Sequence, residues 1–125
     1  MKIRIYYEDT DAGGIVYHTN YIKYCERARS EHFFSHGMLP GDTNKYGFVV
    51  RKIDADFLGS AKLGDVLTVQ TSILEYKKSN ITLLQEIFLE EKKLFSMEVV
   101  LVYVEEGKPR RIPEYLENVL KSFSN

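Results

Sequence analysis

The spacing of apolar residues predicts one long helix near the start of the chain. Between Thr19 and Gly37, apolar side chains recur every three or four residues and share one helical face. Thr19 or Asn20 can cap the start of this helix, and Gly37 suits its end. The predicted buried stripe consists of Tyr21, Cys25, Ala28 and His32, flanked by Ile22 and Tyr24, while Arg27, Arg29 and Glu31 are predicted to point elsewhere.

The second half of the chain alternates between apolar and polar residues, which predicts a series of long strands. Within this pattern, Ile81 and Leu83 are assigned to a buried face and Gln85 to the solvent face. Short polar links separate the last three strands and suit hairpins, so these strands should be antiparallel neighbours. The predicted strands are Lys2–Glu8, Phe48–Phe57, Asp65–Lys77, Asn80–Glu90 and Leu94–Glu105, and Pro113–Phe123 is predicted as a short terminal helix.

This order of elements predicts an α+β protein in which a five-stranded antiparallel sheet wraps around one long helix. A single helix is a small partner for five strands, and a curled sheet buries it on several sides. The outer face and the edges of the sheet would still need cover, which a second copy of the chain would supply. A chain of 125 residues has room for one such domain, over residues 1–125.

Composition and charge narrow the classes of protein that remain. A net charge of -1 argues against a broad nucleic-acid interface, which needs a clustered positive surface. No stretch reaches the roughly 18 apolar residues of a membrane span, and the first residues lack the apolar core of a signal peptide. We therefore expect a cytoplasmic protein that does not bind nucleic acid.

The densest polar cluster lies between the first strand and the long helix. It is the acidic, turn-forming sequence EDTDAGG, from Glu8 to Gly14. A helix N-terminus offers unpaired N–H groups and a partial positive charge, which can polarise an acyl carbonyl. Gly13 and Gly14 let the backbone approach a ligand closely. Because Asp, Gly and Thr are also ordinary turn and cap residues, spacing leaves a catalytic and a structural role open.

Other kinds of chemistry find little support in the sequence. Asp9 and Asp11 supply fewer oxygen ligands than a hard cation requires, and the three histidines form no metal-binding array. Cys25 lies on the apolar stripe and is interpreted as a packed core thiol. The serine-hydrolase motif G-x-S-x-G and the Gly-rich phosphate motifs do not occur, and we expect no metal and no cofactor.

The stretch from Tyr6 to Glu31, YYEDTDAGGIVYHTNYIKYCERARSE, resembles the signature of the 4-hydroxybenzoyl-CoA thioesterase superfamily. The pattern D-T-D-x-x-G-x-V-x-H-x-x-Y, followed by E-x-A-R, is similar to that of the Tol-Pal-associated acyl-CoA thioesterase branch, the YbgC type. The segment Ala55–Asp65 also resembles the one that follows the second strand in that family. The resemblance covers essentially the whole chain and implies a hot-dog fold and the hydrolysis of acyl-CoA to a carboxylic acid and CoA.

The resemblance also implies roles for particular residues. The second aspartate of D-T-D, here Asp11, would be the essential carboxylate, acting as nucleophile or as general base. The backbone N–H at the helix start would be that of His18, whose side chain is also a candidate, and Tyr7 would line the site. Substrate contacts are predicted for Gly14, Val16 and Tyr17.

The partners implied by the resemblance are acyl-CoA as substrate and further copies of the same chain. Active sites would lie at the interfaces of a homodimer or homotetramer. The branch further implies a role in lipid metabolism and a peripheral link to a membrane, to the Tol-Pal system or to phospholipid-synthesis proteins.

Two other functions stay open at this stage. A hydratase or dehydratase of acyl thioesters shares the fold, although the D-T-D-x-x-G loop resembles the hydrolase branch more closely. A protein that only binds acyl groups, or that serves as an adaptor to a membrane complex, belongs to a different class and would need no reactive carboxylate.

Overall fold

The computed structural model describes residues 1–42 and 45–124. Short 3-10 turns at Tyr7–Asp9 and Ser122–Ser124 accompany the longer elements. The helices and strands of the described residues are β1 (Lys2–Arg4), α1 (Thr19–Ser35), β2 (Tyr46–Phe57), β3 (Val66–Tyr76), β4 (Asn80–Leu89), β5 (Lys92–Glu105), β6 (Lys108–Pro109) and α2 (Glu114–Lys121).

The strands form one antiparallel sheet in the order β1-β3-β4-β5-β2, with the two-residue β6 paired to β5. Helix α1 packs against β3 and β4 in the middle of this sheet. The predicted curled sheet around one long helix, the hot-dog fold, is confirmed. The sheet gains one strand that was not predicted, β6, which is a two-residue extension beyond the turn that follows β5.

The core lies between α1 and the concave face of the sheet. Five alternate residues of β5 share one face of the strand and are all buried: Phe95, Met97, Val99, Leu101 and Tyr103. From α1, Tyr21, Tyr24, Cys25, Ala28 and Phe33 are buried against them. Burial raises the pKa of the Cys25 thiol to about 12, as the interpretation of a packed core thiol requires.

The ends of α1 test the predicted caps. Gly37 adopts a φ of +71° beyond the last turn, and the N–H of Met38 donates to the carbonyl of Phe33 at 3.0 Å, so the predicted glycine stop is confirmed. The predicted caps at the start are wrong. His18 is the N-cap and makes no capping bond with its side chain, while the Asn20 amide donates instead to the carbonyl of Asp9 at 2.9 Å.

The first strand is shorter than predicted and ends at Arg4. The next residues turn sharply because the carboxylate of Asp9 accepts the N–H of Tyr6 at 2.8 Å, which stabilises the 3-10 turn at Tyr7–Asp9. Strand pairing therefore stops before the acidic cluster. The cluster leaves the sheet and lies at the start of α1.

A buried polar network overturns two predictions about side-chain direction. Gln85 is 0% exposed and lies on the inner face of β4, where it donates to the carbonyl of Cys25 at 2.9 Å and to the Thr71 hydroxyl at 3.1 Å. Its carbonyl oxygen accepts the guanidinium of Arg29 at 2.8 Å. Gln85 therefore does not face solvent, and Arg29 points toward the sheet, because each satisfies the other's hydrogen-bonding groups.

The C-terminal segment covers the far end of α1 through His32. The His32 ring stacks on Phe123 with centroids 4.0 Å apart, and its Nε2 lies 2.8 Å from the carbonyl of Val119. Burial lowers the pKa of His32, the bond to Val119 opposes this shift, and the nearby His36 adds to it.

No helix of the described residues is long and apolar enough to cross a membrane.

The lowered pKa of His32 predicts that stability depends on pH. His32 binds a proton more readily in the unfolded chain than in the folded protein. Its contribution to the stability of the folded state is therefore complete above the unfolded pKa of about 6.5, and it is lost as pH falls toward the lower pKa of the folded state. We expect the unfolding free energy to fall between about pH 7.5 and pH 5, with a smaller slope in His32→Gln. Urea unfolding across this range measures it, with His18→Gln, at the opposite end of α1, as control. An equal slope in wild type and His32→Gln would contradict the prediction.

Candidate active site

The acidic cluster folds into a small hairpin that runs from Thr10 to Val16. These two residues form an antiparallel bridge, and inside it the N–H of Asp11 donates to the carbonyl of Ile15 at 2.8 Å. The turn closes with the N–H of Gly14 on the carbonyl of Asp11 at 3.0 Å. Gly14 has a φ of +84°, which a residue with a side chain adopts only under strain. The sequence DAGG therefore sets a tight turn with Asp11 at its beginning.

The carboxylate of Asp11 is exposed and locally oriented. Its Oδ1 accepts the N–H of Gly13 at 2.8 Å, which is the usual Asx-turn geometry. A side chain at position 13 would place its Cβ 3.2 Å from the same oxygen, so glycine there leaves the carboxylate undisturbed. Within the described residues, Oδ2 of Asp11 accepts no hydrogen bond and is available to a ligand or to water.

The opening of α1 lies directly after this hairpin. The N–H of Asn20 donates to the carbonyl of Tyr17 at 2.9 Å, whereas the N–H groups of His18 and Thr19 donate to no acceptor in the described part of the chain. The N–H of Tyr17 donates to the carbonyl of Asp9 at 3.0 Å and so ties the hairpin to the helix start. Two unpaired N–H groups at a helix N-terminus can bind an oxyanion.

A segment after β2 supports the same region, and its contacts were not anticipated. Ala61 is buried; its N–H donates to the hydroxyl of Tyr21 at 3.0 Å, and its carbonyl accepts the N–H of Val16 at 2.9 Å. Ile15 also bridges to Lys62. The hairpin is therefore held from two sides, by the helix and by this segment. Only long-range pairing identifies these contacts, since Ala61 carries no chemical signal of its own.

The other predicted site residues occupy different environments. Tyr7 is 81% exposed, and its ring extends from the 3-10 turn into solvent. Tyr17 is half exposed, and its ring centroid lies 4.8 Å from that of His18. The ring of His18 also packs edge-on against Phe57, with centroids 5.7 Å apart. Val16 is packed in the core at 3% exposure, and its N–H already donates to the carbonyl of Ala61. The roles assigned to these residues stay predictions.

The inner face of strand β2 is apolar and only partly covered, and it forms a groove-like surface that begins near the opening of α1. Because β2 pairs with β5, the residues opposite the buried face of β5 share that inner face. Helix α1 lies over β3 and β4, so these side chains are only partly covered. The groove is lined by Phe57, Ala55, Ile53, Val50 and Phe48. At its far end it joins a cavity of about 330 Å³ beside Phe33 and Arg29.

Groups that could hold a metal ion are sparse. Among residues 1–42 and 45–124, no three His, Cys, Asp or Glu side chains come together in a metal-binding arrangement. The groups that the hairpin and the helix opening present are a carboxylate, two unpaired amides and a nearby imidazole.

A curled sheet around one helix, with a carboxylate beside the opening of that helix, defines the class of hot-dog thioesterases. The family model of the Thioesterase superfamily matches residues 13–96. The chain therefore belongs to the Thioesterase superfamily, and the predicted family and the predicted class of enzyme, a thioester hydrolase, are confirmed.

Individual relatives agree with this membership. The acyl-CoA thioesterase YbgC of Helicobacter pylori is 42% identical, over 98% of this chain and 99% of that protein. The acyl-CoA thioester hydrolase YbgC of Escherichia coli is 40% identical, over 90% of this chain and 87% of that protein. The crystal structure of a probable thioesterase from Bartonella henselae superposes with a TM-score of 0.85 at 32% identity, over 90% of this chain and 97% of that one.

Proposed function

We propose that this protein is an acyl-CoA thioesterase in which Asp11 is the reacting carboxylate. The observation that carries the proposal is the hydrogen bond from the N–H of Tyr17 to the carbonyl of Asp9, at 3.0 Å. This bond joins the hairpin that bears Asp11 to the helix opening that presents the unpaired N–H groups of His18 and Thr19. A thioester carbonyl bound at the amides would be polarised next to a carboxylate.

Two mechanisms follow from this arrangement. In the first, Asp11 attacks the acyl carbon, CoA leaves as the thiolate, and water opens the resulting mixed anhydride. In the second, Asp11 takes a proton from a water molecule that attacks the same carbon. The free Oδ2 of Asp11 serves either route. In both, the N–H groups at the helix opening stabilise the negative charge that develops on the carbonyl oxygen.

The acyl chain is proposed to lie in the groove along β2. The groove begins where Phe57 contacts the ring of His18, and its residues are apolar along its length. The distance along α1 from its opening to the level of Glu26, at the cavity, is roughly 12 Å. A linear acyl chain fits such a groove better than a compact aryl group. A panel of acyl-CoA substrates of graded length measures this preference.

A second copy of the chain is proposed to complete the site. Strand β2 is the long edge strand of the sheet, and Val50 at 48% exposure and Ile53 at 38% lie on its uncovered face. A long edge strand presents a row of unpaired backbone groups, which is a template for pairing with another strand. Pairing of β2 with its copy would cover the edge and enclose the groove. A homotetramer would require a further interface.

Charges placed on β2 test this proposed dimer. We expect the wild type to be a dimer and Val50→Asp/Ile53→Asp to be a monomer with little activity, because buried carboxylates without partners are costly at an interface. Light scattering after size exclusion gives the mass of each form. Asp54→Asn, on the same strand, should remain dimeric. A wild type that is monomeric and fully active would refute the proposed dimer.

A substitution of His18 separates its side chain from its backbone. We expect His18→Ala to keep most of the acyl-CoA hydrolysis, with kcat reduced by about tenfold or less, because the backbone N–H survives the change. Steady-state kinetics on one acyl-CoA measure this effect. A loss on the order of a thousandfold would assign the main contribution to the imidazole instead.

The release of free CoA is the direct test of the proposed function. Incubation with acyl-CoA and a thiol reagent yields a signal only if the thioester is hydrolysed, whereas a hydratase or dehydratase leaves the thioester intact. A protein that only binds acyl groups or acts as an adaptor would release no CoA. Release at the same rate with and without the protein would refute the proposal.

The cellular setting is proposed from the family branch. We propose a cytoplasmic enzyme of lipid metabolism that is linked peripherally to the Tol-Pal system or to phospholipid-synthesis proteins. Co-purification of the tagged protein from a Tol-Pal-containing cell, with Asp11→Asn as a hydrolysis-deficient control, tests that link. Neither binding nor an adaptor role should depend on the carboxylate.

A further inference from the structure

The geometry points to Asn20 and Tyr24 as positioning residues that fix the reacting carboxylate relative to the helix opening, and both act through Asp9. This inference rests on the proposed function, because the position of Asp11 matters only if Asp11 reacts. Neither residue needs to touch the substrate. The two lie one helical turn apart, at i and i+4, and so share one face of α1.

Asp9 is the point where three segments meet. Its carbonyl accepts the N–H of Tyr17 at 3.0 Å and the side-chain amide of Asn20 at 2.9 Å. Its carboxylate accepts the N–H of Tyr6 at 2.8 Å. One residue thus binds the 3-10 turn, the end of the hairpin and the first turn of α1. The role of Asn20 is to hold this junction from the helix side.

The junction determines where Asp11 lies. From Asp11 the chain passes back through Thr10 to the carbonyl of Asp9, crosses the hydrogen bond to Tyr17, and reaches His18 one residue later. This is a short path from the carboxylate to the amides at the helix opening. A displacement of about 1 Å between reacting groups can lower a rate by roughly a hundredfold. A looser junction therefore lowers kcat without removing any surface that binds CoA.

Tyr24 lies one helical turn beyond Asn20 and carries a buried polar group that packing does not explain. Its ring is completely buried, and its hydroxyl has no hydrogen-bond partner within the described part of the chain. Burial and the nearby carboxylate of Asp9 raise the pKa of this hydroxyl, so it keeps its proton and can turn its positive end toward that carboxylate. Since an unpartnered buried hydroxyl is unfavourable, a positioning role accounts for its presence.

Two variants test the inference. Asn20→Asp keeps the size of the side chain and suits a helix N-terminus, but it cannot donate to the carbonyl of Asp9. We expect kcat to fall by about tenfold to a hundredfold and KM to change by less than about threefold. Tyr24→Phe removes only the hydroxyl, and we expect a fall in kcat of about tenfold with a melting temperature equal to or above that of the wild type.

Matched controls separate positioning from folding. Lys23→Ala changes an exposed residue of the same turn, and Tyr103→Phe removes a buried hydroxyl at the opposite end of the sheet; both should keep kcat. If Asn20→Asp and Tyr24→Phe keep kcat within about twofold while Asp11→Asn is inactive, the inference fails and the proposed function stands. If Asp11→Asn is fully active, both fail. A fall in kcat that merely follows loss of folded protein also overturns the inference.

Discussion

Asp11→Asn is expected to lower kcat for acyl-CoA hydrolysis by on the order of a thousandfold or more, with the fold unchanged. An amide neither attacks an acyl carbon nor accepts a proton from water at neutral pH. The amide oxygen can still accept the N–H of Gly13, the bond that Oδ1 of Asp11 makes at 2.8 Å, so the turn should survive. Steady-state kinetics and a thermal melt on the same preparation measure activity and fold together.

The size of the loss decides what Asp11 does. A decrease below tenfold would leave Asp11 with a positioning role only. Glu8→Gln changes a carboxylate of the same acidic cluster and should retain activity, since Glu8 is exposed in the preceding 3-10 turn. Single-turnover hydrolysis in water labelled with heavy oxygen tests for the anhydride. Label in the Asp11 carboxylate requires an anhydride that water opens at the aspartyl carbon, whereas label in the product acid alone fits either a general base or an anhydride opened at the acyl carbon.

Gln85→Ala is expected to destabilise the protein by about 3 kcal/mol. The change removes the acceptor of the Arg29 guanidinium and the donor to the carbonyl of Cys25, bonds of 2.8 and 2.9 Å. It also leaves a cavity at a position that is 0% exposed. Burial lowers the pKa of Arg29, which fits a guanidinium that has lost much of its water and depends on Gln85. Urea unfolding at a fixed protein concentration measures the effect.

A matched substitution on the neighbouring strand is the control. Gln70→Ala removes the same side chain from an exposed position of β3 and should change the unfolding free energy by less than about 0.5 kcal/mol. Similar effects for the two variants would mean that the buried network contributes little. Gln85→Ala should also leave Asp11 and its turn in place, so kcat of the folded enzyme at low temperature should stay near that of the wild type.

The elements were predictable because their signals are local. The spacing of Tyr21, Cys25 and Ala28 marks a helix, and alternation marks the long strands, since both patterns follow from backbone geometry. The error at Gln85 arose from grouping by polarity, although its position two residues after Leu83 and two before Ile87 places it on the buried face. The prediction that Arg29 points away from the core was wrong for the same reason. A buried polar group is stable only with a hydrogen-bond partner, and the partner of Arg29, Gln85, lies far away in the sequence.

The sequence by itself determined the family, the order of elements and the acidic motif that precedes the helix, because these depend on residues close together in the chain. The tertiary structure decided which groups meet. It joined Asp9 to Tyr17 and Asn20, brought Ala61 against Tyr21, and left the inner face of β2 only partly covered. Such contacts depend on the strand order β1-β3-β4-β5-β2 and on where α1 rests on the sheet, which only long-range packing sets.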